Sequence, residues 1–134
     1  MRVAMELSRI VLNDIDSEQV LLLKEAGGDR CLAIPVGFFE AKFIRQRAQG
    51  ILFPRPQTHD LLLQIIAGLG GELEDVVISD RRQSTFFARL RVRYRGKMLE
   101  IDARPSDAIA LAVTERPPLP IYVAESVLER AAST

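Results

Sequence analysis

Apolar and basic side chains alternate strictly along residues 85–95. Phe86 begins a series of apolar and aromatic residues at every second position, and the intervening positions continue from Phe87 as four arginines. Successive side chains of a β-strand point to opposite faces, so this pattern predicts a strand with one apolar and one basic face. Arg95-Gly96 then predicts a two-residue turn, after which residues 97–103 return as an antiparallel partner.

A two-residue turn at Arg95-Gly96 also fixes the register of this hairpin. It pairs Tyr94 with Lys97, Arg93 with Met98, Arg91 with Glu100 and Arg89 with Asp102. Two arginines then face carboxylates, and cross-strand pairs of this kind contribute about 0.2–1 kcal/mol each, so a solvated, ion-paired face is one interpretation. The alternative is that arginines spaced about 6.6 Å apart follow the phosphates of a single strand. The basic residues left unpaired by this register are Arg81, Arg82, Arg93, Arg95 and Lys97.

The remaining elements follow from the same periodicity arguments. Strands are predicted over residues 3–12, 18–26, 31–36, 73–80 and 120–123, and helices over 38–49, from Thr58 to the glycines at 68–71, over 106–114 and over 125–132. Thr58 is expected to cap the second helix, with Leu62, Ile65, Ile66 and Leu69 as its apolar face. This order predicts an α+β fold: a single compact domain over residues 1–134, with a mostly antiparallel or mixed sheet of about seven strands covered by about four helices.

Composition excludes several classes of protein. The 134 residues carry 18 basic and 18 acidic side chains, which excludes a binder held by net charge alone, although residues 81–97 contain seven basic and no acidic groups. The longest run of Val, Leu and Ile has four residues, so no membrane span is expected, and Glu6 interrupts the N-terminus too early for a signal peptide. Cys31 is the single cysteine and is expected to be buried and inert. We therefore expect a cytoplasmic protein.

The segment Asp102–Ala112 joins the end of a predicted strand to the start of a helix. Backbone N–H groups at a helix start attract anions, and Arg104, with Ser106 beside it, adds a guanidinium fork suited to phosphate. Asp102 and Asp107 flank the turn and can share a hard cation such as Mg²⁺ or Mn²⁺. The alternative is a local structural role, in which Ser106 or Asp107 caps the helix and Arg104 pairs with Asp107.

Arg55, His59 and Asp60 form a second polar cluster at the predicted start of the second helix. His59 is the single histidine, so any imidazole acid–base chemistry must use it. Glu40, on the first helix, is a further candidate metal ligand. For each of these side chains the alternative is an ordinary structural or solvated role. The sequence contains no P-loop, dinucleotide-binding, serine-hydrolase or zinc-protease motif, so those activities have no support.

Several segments, taken in order, match a known family. They are Leu21–Glu25 with Leu32–Ile34, Gly37 with Glu40-Ala41, Arg55-Pro56 with Thr58–Leu61, Asp102–Ala112, and Pro120–Glu125. Over nearly its whole length the chain therefore resembles the bifunctional nuclease domain family. The resemblance implies a compact, oligomeric α+β domain with endonuclease activity on both DNA and RNA and little sequence preference. The chain departs from the family pattern at Arg45-Gln46-Arg47, where small apolar residues are common, and at Pro117–Leu119.

Together, the residues and the resemblance predict metal-assisted phosphodiester hydrolysis. In this hypothesis carboxylates hold Mg²⁺ or Mn²⁺, His59 is the general acid or base, and Arg104 clamps the phosphate. The catalytic candidates are His59, Asp60, Asp102 and Asp107. The metal-ligand candidates are Glu40, Asp102 and Asp107, with Asp60 as a further possibility. The nucleic-acid-binding candidates are Arg55, Arg93, Arg95, Lys97, Arg104 and Ser106.

The expected partners are DNA and RNA, together with further copies of the chain in a homo-oligomer, a dimer being favoured. Two alternatives remain open at this point. One is a non-catalytic oligomeric interaction or ligand-binding module, in which the polar clusters form a buried structural network. The other is a nucleic-acid binder without cleavage activity, which predicts strongly salt-dependent binding.

Overall fold

The computed structural model describes residues 1–132, and its elements follow the order predicted from the sequence. The strands are β1 (Arg2–Val11), β2 (Gln19–Glu25), β3 (Cys31–Val36), β4 (Glu72–Arg82), β5 (Thr85–Tyr94), β6 (Lys97–Ala103) and β7 (Ile121–Ala124). The helices are α1 (Phe38–Ala48), α2 (Thr58–Gly68), α3 (Pro105–Thr114) and α4 (Glu125–Ala132). The α+β class is confirmed.

All seven strands form one mixed sheet in the order β3-β2-β1-β7-β4-β5-β6. Within residues 1–132 only β4 and β7 pair in parallel. The predicted register of the β5–β6 hairpin is confirmed, since Arg89 lies opposite Asp102 and Arg91 opposite Glu100. Its turn has positive φ at both Arg95 (49°) and Gly96 (75°), as a tight two-residue hairpin turn requires.

Helix α3 is the centre of the core. Seven of its ten residues are buried, namely Ser106 and the run from Ala108 to Val113. Its alanines at positions 108, 110 and 112 allow close packing against β4 and β5 on one side and against α1 and α2 on the other. Full burial of a side chain such as Ile109 or Leu111 contributes about 1.5–3 kcal/mol relative to exposure. The start of α3, which follows directly from β6, is therefore held firmly in place.

Helix α2 differs from its prediction in its cap and in its apolar face. The N-cap is Gln57 and not Thr58, and the Asp60 carboxylate accepts a hydrogen bond from the Gln57 backbone N–H (2.7 Å). Of the predicted apolar face only Ile66 packs on the core, joined there by Leu63, whereas Leu62, Ile65 and Leu69 are exposed. Because α2 carries aliphatic residues around most of its circumference, the helical period alone did not identify its buried side.

Cys31 is exposed, so the prediction of a buried thiol is wrong. It lies at the start of β3, an edge strand whose alternate residues Leu32 and Ile34 face the core. The alternation that buries these two residues necessarily turns Cys31 outward. Within residues 1–132 the longest helices have eleven residues, too short to cross a bilayer.

Candidate active site

An open cleft of about 660 Å³ lies where α1, α2, α3 and the β5–β6 hairpin meet. Its walls are largely apolar. Five of the predicted site residues line it: Glu40, His59, Asp102, Arg104 and Asp107. Phe39 and Phe43 of α1 also line it, and neither was predicted from the sequence, although their positions on the same helix as Glu40 were a usable signal. The fold therefore brings His59, from one of the two polar clusters of the sequence, to the same concave surface as Asp102, Arg104 and Asp107 of the other.

His59 and Asp107 form the central contact of this cleft. The His59 Nε2 atom lies 3.1 Å from Asp107 Oδ1, across 48 residues of sequence. The His59 ring also packs against the Phe43 ring, with 4.9 Å between centroids. Both side chains are partly shielded, His59 at 16% and Asp107 at 29% exposure. Packing of α2 on α3 thus creates a histidine–carboxylate pair that remains open to solvent on one side.

Asp107 is ionised at neutral pH. Burial raises the pKa of this carboxyl, but hydrogen bonds from Arg104 and His59, together with their charges, outweigh burial and hold the pKa below its usual value. An ionised carboxylate only accepts hydrogen bonds, so the proton of a neutral His59 ring must lie on Nε2. The Nδ1 atom is then the basic nitrogen of His59, which is the arrangement a general base needs.

Arg104 holds the other side of the Asp107 carboxylate. Its Nε and Nη2 atoms donate to the two carboxylate oxygens at 3.0 and 3.2 Å, and Nη1 lies 3.6 Å from Glu40 Oε2, beyond hydrogen-bonding distance. The Arg104 side chain is 65% exposed, so part of its guanidinium fork is free to bind an anion. The Arg104–Asp107 pair was one of the predicted alternatives and is present.

The local capping role predicted for Ser106 or Asp107 is wrong. Arg104 occupies the N-cap position of α3, with no side-chain cap hydrogen bond, and Pro105 begins the helix. Proline at the first helical position lacks an N–H that would need a partner, so the demand for a cap is reduced. The Asp107 carboxylate is directed instead to His59 and Arg104.

Asp60 has a structural environment that differs from that of its neighbour His59. Its carboxylate pairs with Arg47 of α1, and it also accepts the capping hydrogen bond from Gln57. The Arg47 side chain is only 6% exposed, and its guanidinium lies 5.1 Å from the Phe43 ring centroid and 4.9 Å from that of Phe53. Arg47 is one of the residues at which the chain departs from the family pattern. It is a buried cation that requires Asp60 as its counter-ion.

The proposed metal ligands do not gather into a closed cage. Among residues 1–132 there is no group of three or more His, Cys, Asp or Glu side chains placed to hold a metal ion. Glu40 folds back over Gly37, with its carboxylate 2.6 Å from the point where a Cβ would stand, and Asp102 lies on β6 opposite Arg89. Mg²⁺ is often bound by one or two carboxylates plus substrate phosphates, so dependence on Mg²⁺ or Mn²⁺ stays a prediction.

The predicted basic contacts lie mostly outside the cleft. Arg93, expected to be free, donates to Glu74 of β4 at 2.7 Å, and Arg91 pairs with Asp75 of β4 instead of Glu100. Arg82 and Arg81, also expected to be free, bond to Asp80 (3.1 Å) and to the Gln83 carbonyl (2.9 Å). The ion pairs were predicted from the β5–β6 register alone, whereas β5 also pairs with β4 on its other side. Arg55, Arg95 and Lys97 are exposed, and Ser106 is buried beside the cleft.

The chain is similar to known proteins over most of its length. The model of the bifunctional nuclease domain matches residues 21–134, a range that contains every cleft residue named above. Two curated relatives from Mycobacterium tuberculosis are uncharacterized protein MT1877 (strain CDC 1551 / Oshkosh) and uncharacterized protein Rv1829 (strain ATCC 25618 / H37Rv). Each is 45% identical over 115 residues, which cover 86% of this chain and 67% of the relative. The chain belongs to the bifunctional nuclease domain family.

Proposed function

We propose that this protein hydrolyses phosphodiester bonds of DNA and RNA with little sequence preference. Family membership supports a nuclease-related or nucleic-acid-binding role. The observation that carries the catalytic part of the proposal is the His59–Asp107–Arg104 arrangement in an open cleft. It combines an oriented base with an exposed guanidinium, the two groups that attack on a phosphodiester requires.

Each of these three residues has one task in the proposed reaction. Arg104 binds a non-bridging oxygen of the scissile phosphate and offsets its negative charge. His59 Nδ1 accepts a proton from the attacking water, whose oxygen forms the new bond to phosphorus while the bond to the leaving oxygen breaks and that oxygen takes up a proton. Asp107 keeps the proton on Nε2 and stabilises the imidazolium that forms. A divalent cation, if required, would add charge neutralisation to the same phosphate.

Exposure favours this proposal over a purely structural network. A structural network predicts that Arg104 and Asp107 are both buried with all of their donors and acceptors satisfied. Arg104 is instead mostly exposed, and both it and Asp107 line a cleft large enough for a ligand. The Arg47–Asp60 pair, by contrast, meets the burial criterion of a structural contact because its guanidinium is buried, although Arg47 Nε has no hydrogen-bond partner.

His59→Ala is the direct test of the proposed base. We expect cleavage of single-stranded RNA, single-stranded DNA and plasmid DNA to fall about 100-fold or more, since a general base contributes about 10²–10⁴-fold. The assay is run with Mg²⁺, with Mn²⁺ and with EDTA, which also tests the metal prediction. Gln64→Ala, an exposed position on α2, is the matched control and should cleave at the wild-type rate.

The same assay distinguishes the alternatives. Equal cleavage by wild-type protein and a folded His59→Ala variant would contradict the proposed site. If neither protein cleaves, an interaction module is favoured. Salt-dependent nucleic-acid binding that survives loss of His59 and Asp107 would identify a binder without cleavage activity.

A homo-oligomer, with a dimer favoured, is part of the proposal. Its support is the exposed apolar surface formed by Leu62, Ile65 and Leu69 of α2 with Leu99 and Ile101 of the edge strand β6. Leu62 and Ile101 line the same cleft, so the surfaces of α2 and β6 adjoin there. Exposed apolar patches of this kind commonly mark interaction sites.

Ile65→Glu should convert a wild-type dimer into monomers, because a charge at an apolar contact cannot be desolvated cheaply. Light scattering during size-exclusion chromatography measures the mass of both proteins. Gln64→Glu places the same charge one residue away on the helix and should leave the dimer intact. A wild-type monomer at micromolar concentration would contradict this part of the proposal.

A further inference from the structure

A second cavity, of about 370 Å³, adjoins the candidate active site. Glu40 and Arg104 line both spaces, so their side chains form the partition between the cleft and this second cavity. Its lining includes the end of β3, the start of α1, Ser84 of the β4–β5 turn, and Thr85 and Phe86 at the start of β5. Gln83 in that turn has a φ of +57°, an uncommon conformation for a residue other than glycine.

Ser106 contributes a hydrogen-bonding group to the lining of this cavity. The residue is only 7% exposed and lines the cavity. Among the residues that the structure describes, its hydroxyl has no hydrogen-bond partner, in contrast to Thr114, whose hydroxyl bonds to the Ala110 carbonyl at 2.7 Å. Within residues 1–132 the fully enclosed side-chain atom without a partner is Arg47 Nε, so solvent reaches the Ser106 hydroxyl and a ligand in the cavity can replace that solvent.

The lining indicates what kind of ligand fits. Within the described part of the chain the ionic side chains at this cavity are Glu40 and Arg104, and Arg104 is the residue proposed to bind the scissile phosphate. The site therefore offers no net positive charge for an additional phosphate. The rest of the lining combines apolar side chains, including Ile34 and Phe86, with the hydroxyls of Ser84, Thr85 and Ser106. A neutral, flat group with several hydrogen-bonding atoms matches this lining, and the nucleoside part of a nucleotide has that chemistry.

We propose that the second cavity binds the nucleoside attached to the phosphate held by Arg104. This inference rests on the proposed function, because it takes Arg104 as the phosphate-binding residue. A phosphodiester has one organic group on each side of the phosphate. With the phosphate at the partition, one flanking nucleoside enters the second cavity and the leaving group remains in the cleft beside His59. The Ser106 hydroxyl then forms a hydrogen bond with the nucleoside in place of one with solvent.

Two chromogenic substrates test the proposal. Bis(p-nitrophenyl) phosphate carries no nucleoside, whereas thymidine 5′-p-nitrophenyl phosphate carries one, and both release the same leaving group. We expect wild-type kcat/KM to be at least about tenfold higher for the nucleoside substrate. An aromatic or hydrogen-bonding contact to one nucleoside provides an effect of about this size. Because the same protein cleaves both substrates, the ratio of the two kcat/KM values measures how much binding of the nucleoside in the second cavity contributes to cleavage.

Two variants change the cavity in different ways. Ser84→Trp places a bulky side chain at its exposed rim and should bring the ratio close to one. Ser106→Ala removes one hydroxyl and should lower the ratio about threefold to tenfold, the usual effect of one hydrogen bond. Ser126→Trp, at an exposed serine on α4, is the matched control and should keep the wild-type ratio. Thermal unfolding of each variant shows that it is folded.

The outcomes separate this inference from the proposed function. Suppose that the wild-type protein cleaves both substrates with a ratio of kcat/KM values near one, or that folded Ser84→Trp and Ser106→Ala keep the wild-type ratio. In either case the second cavity does not bind a nucleoside, and the hydrolase proposal stands. If the wild-type protein cleaves neither substrate, the proposed function fails. Calorimetric titration with thymidine 5′-monophosphate then tests nucleoside binding directly. Binding that is weaker in Ser84→Trp but not in Ser126→Trp supports a nucleoside site in the second cavity. Absent binding, or equal binding by both variants, overturns it.

Discussion

Asp107→Asn should lower the cleavage of single-stranded RNA about 10²–10⁴-fold. The asparagine amide is nearly the same size as the carboxylate, so the packing of α2 on α3 should persist. It is, however, neutral and can turn its NH₂ group toward His59 Nε2, which then becomes an acceptor. The ring proton moves to Nδ1, and the nitrogen proposed to take the proton from water is no longer basic. The amide also loses its ionic attraction to Arg104.

The measurement compares initial cleavage rates of wild-type, Asp107→Asn and Asp29→Asn proteins purified in the same way. Asp29 is an exposed carboxylate in the turn between β2 and β3 and controls for the change of charge alone. Circular dichroism and thermal unfolding establish that each variant is folded. A folded Asp107→Asn protein with wild-type activity would remove Asp107 from the reaction and would leave the His59–Asp107 contact as a structural link between helices.

Asp60→Ala should lower the free energy of unfolding by about 3–5 kcal/mol, the range observed when one partner of a buried ion pair is removed. The large effect arises because Arg47 remains buried against Phe43 and Phe53 with its charge uncompensated. Its Nε atom already lacks a hydrogen-bond partner in the folded protein. The substitution also removes the carboxylate that accepts the Gln57 backbone N–H at the start of α2.

Urea unfolding of four proteins separates these two contributions. In an Arg47→Met background no buried cation is left, so Asp60→Ala should there lower stability by only about 1 kcal/mol, the effect of losing a helix cap. The difference between the two backgrounds is the energy of the Arg47–Asp60 interaction. If Asp60→Ala has the same effect in the wild-type and the Arg47→Met backgrounds, the pair contributes nothing. Cleavage by the folded Asp60→Ala protein then tests the original assignment of Asp60 as catalytic.

Local patterns in the sequence were sufficient to predict the order of the elements. The alternation through residues 85–95 and the Arg95-Gly96 turn determined the β5–β6 register because both depend on neighbouring residues only. The same reasoning paired Arg91 with the wrong carboxylate, since it could not place β4 beside β5. The prediction of the buried side of α2 was also wrong. Aliphatic residues surround this helix, so the side that is buried depends on where α3 lies.

For the candidate site as well, the sequence indicated the residue types but not their arrangement in space. The residue types at His59, Arg104 and Asp107 are enough, by themselves, to indicate acid–base and phosphate-binding chemistry. Their proximity could only be assumed from the sequence, because His59 and Asp107 are 48 positions apart and meet through helix packing. Asp60, one residue from His59, was assigned to the same chemistry, but the two side chains leave α2 in different directions and Asp60 meets Arg47. Adjacent positions on a helix differ by about 100° around its axis, so these two neighbours in sequence contact different partners.

The burial of α3 determines which parts of the cleft can move. Arg104 and Asp107 stand at the start of a helix whose sides are enclosed, so displacing them means opening the whole domain. Helix α2, which has no fully buried residue, rests on that core through Leu63 and Ile66 and is held by far fewer contacts. A displacement of α2 within the folded protein would therefore change the distance between His59 and the Asp107 carboxylate. In the proposed reaction the distance between base and phosphate would then depend on the position of α2, on the side where a bound nucleic acid or a second subunit would press.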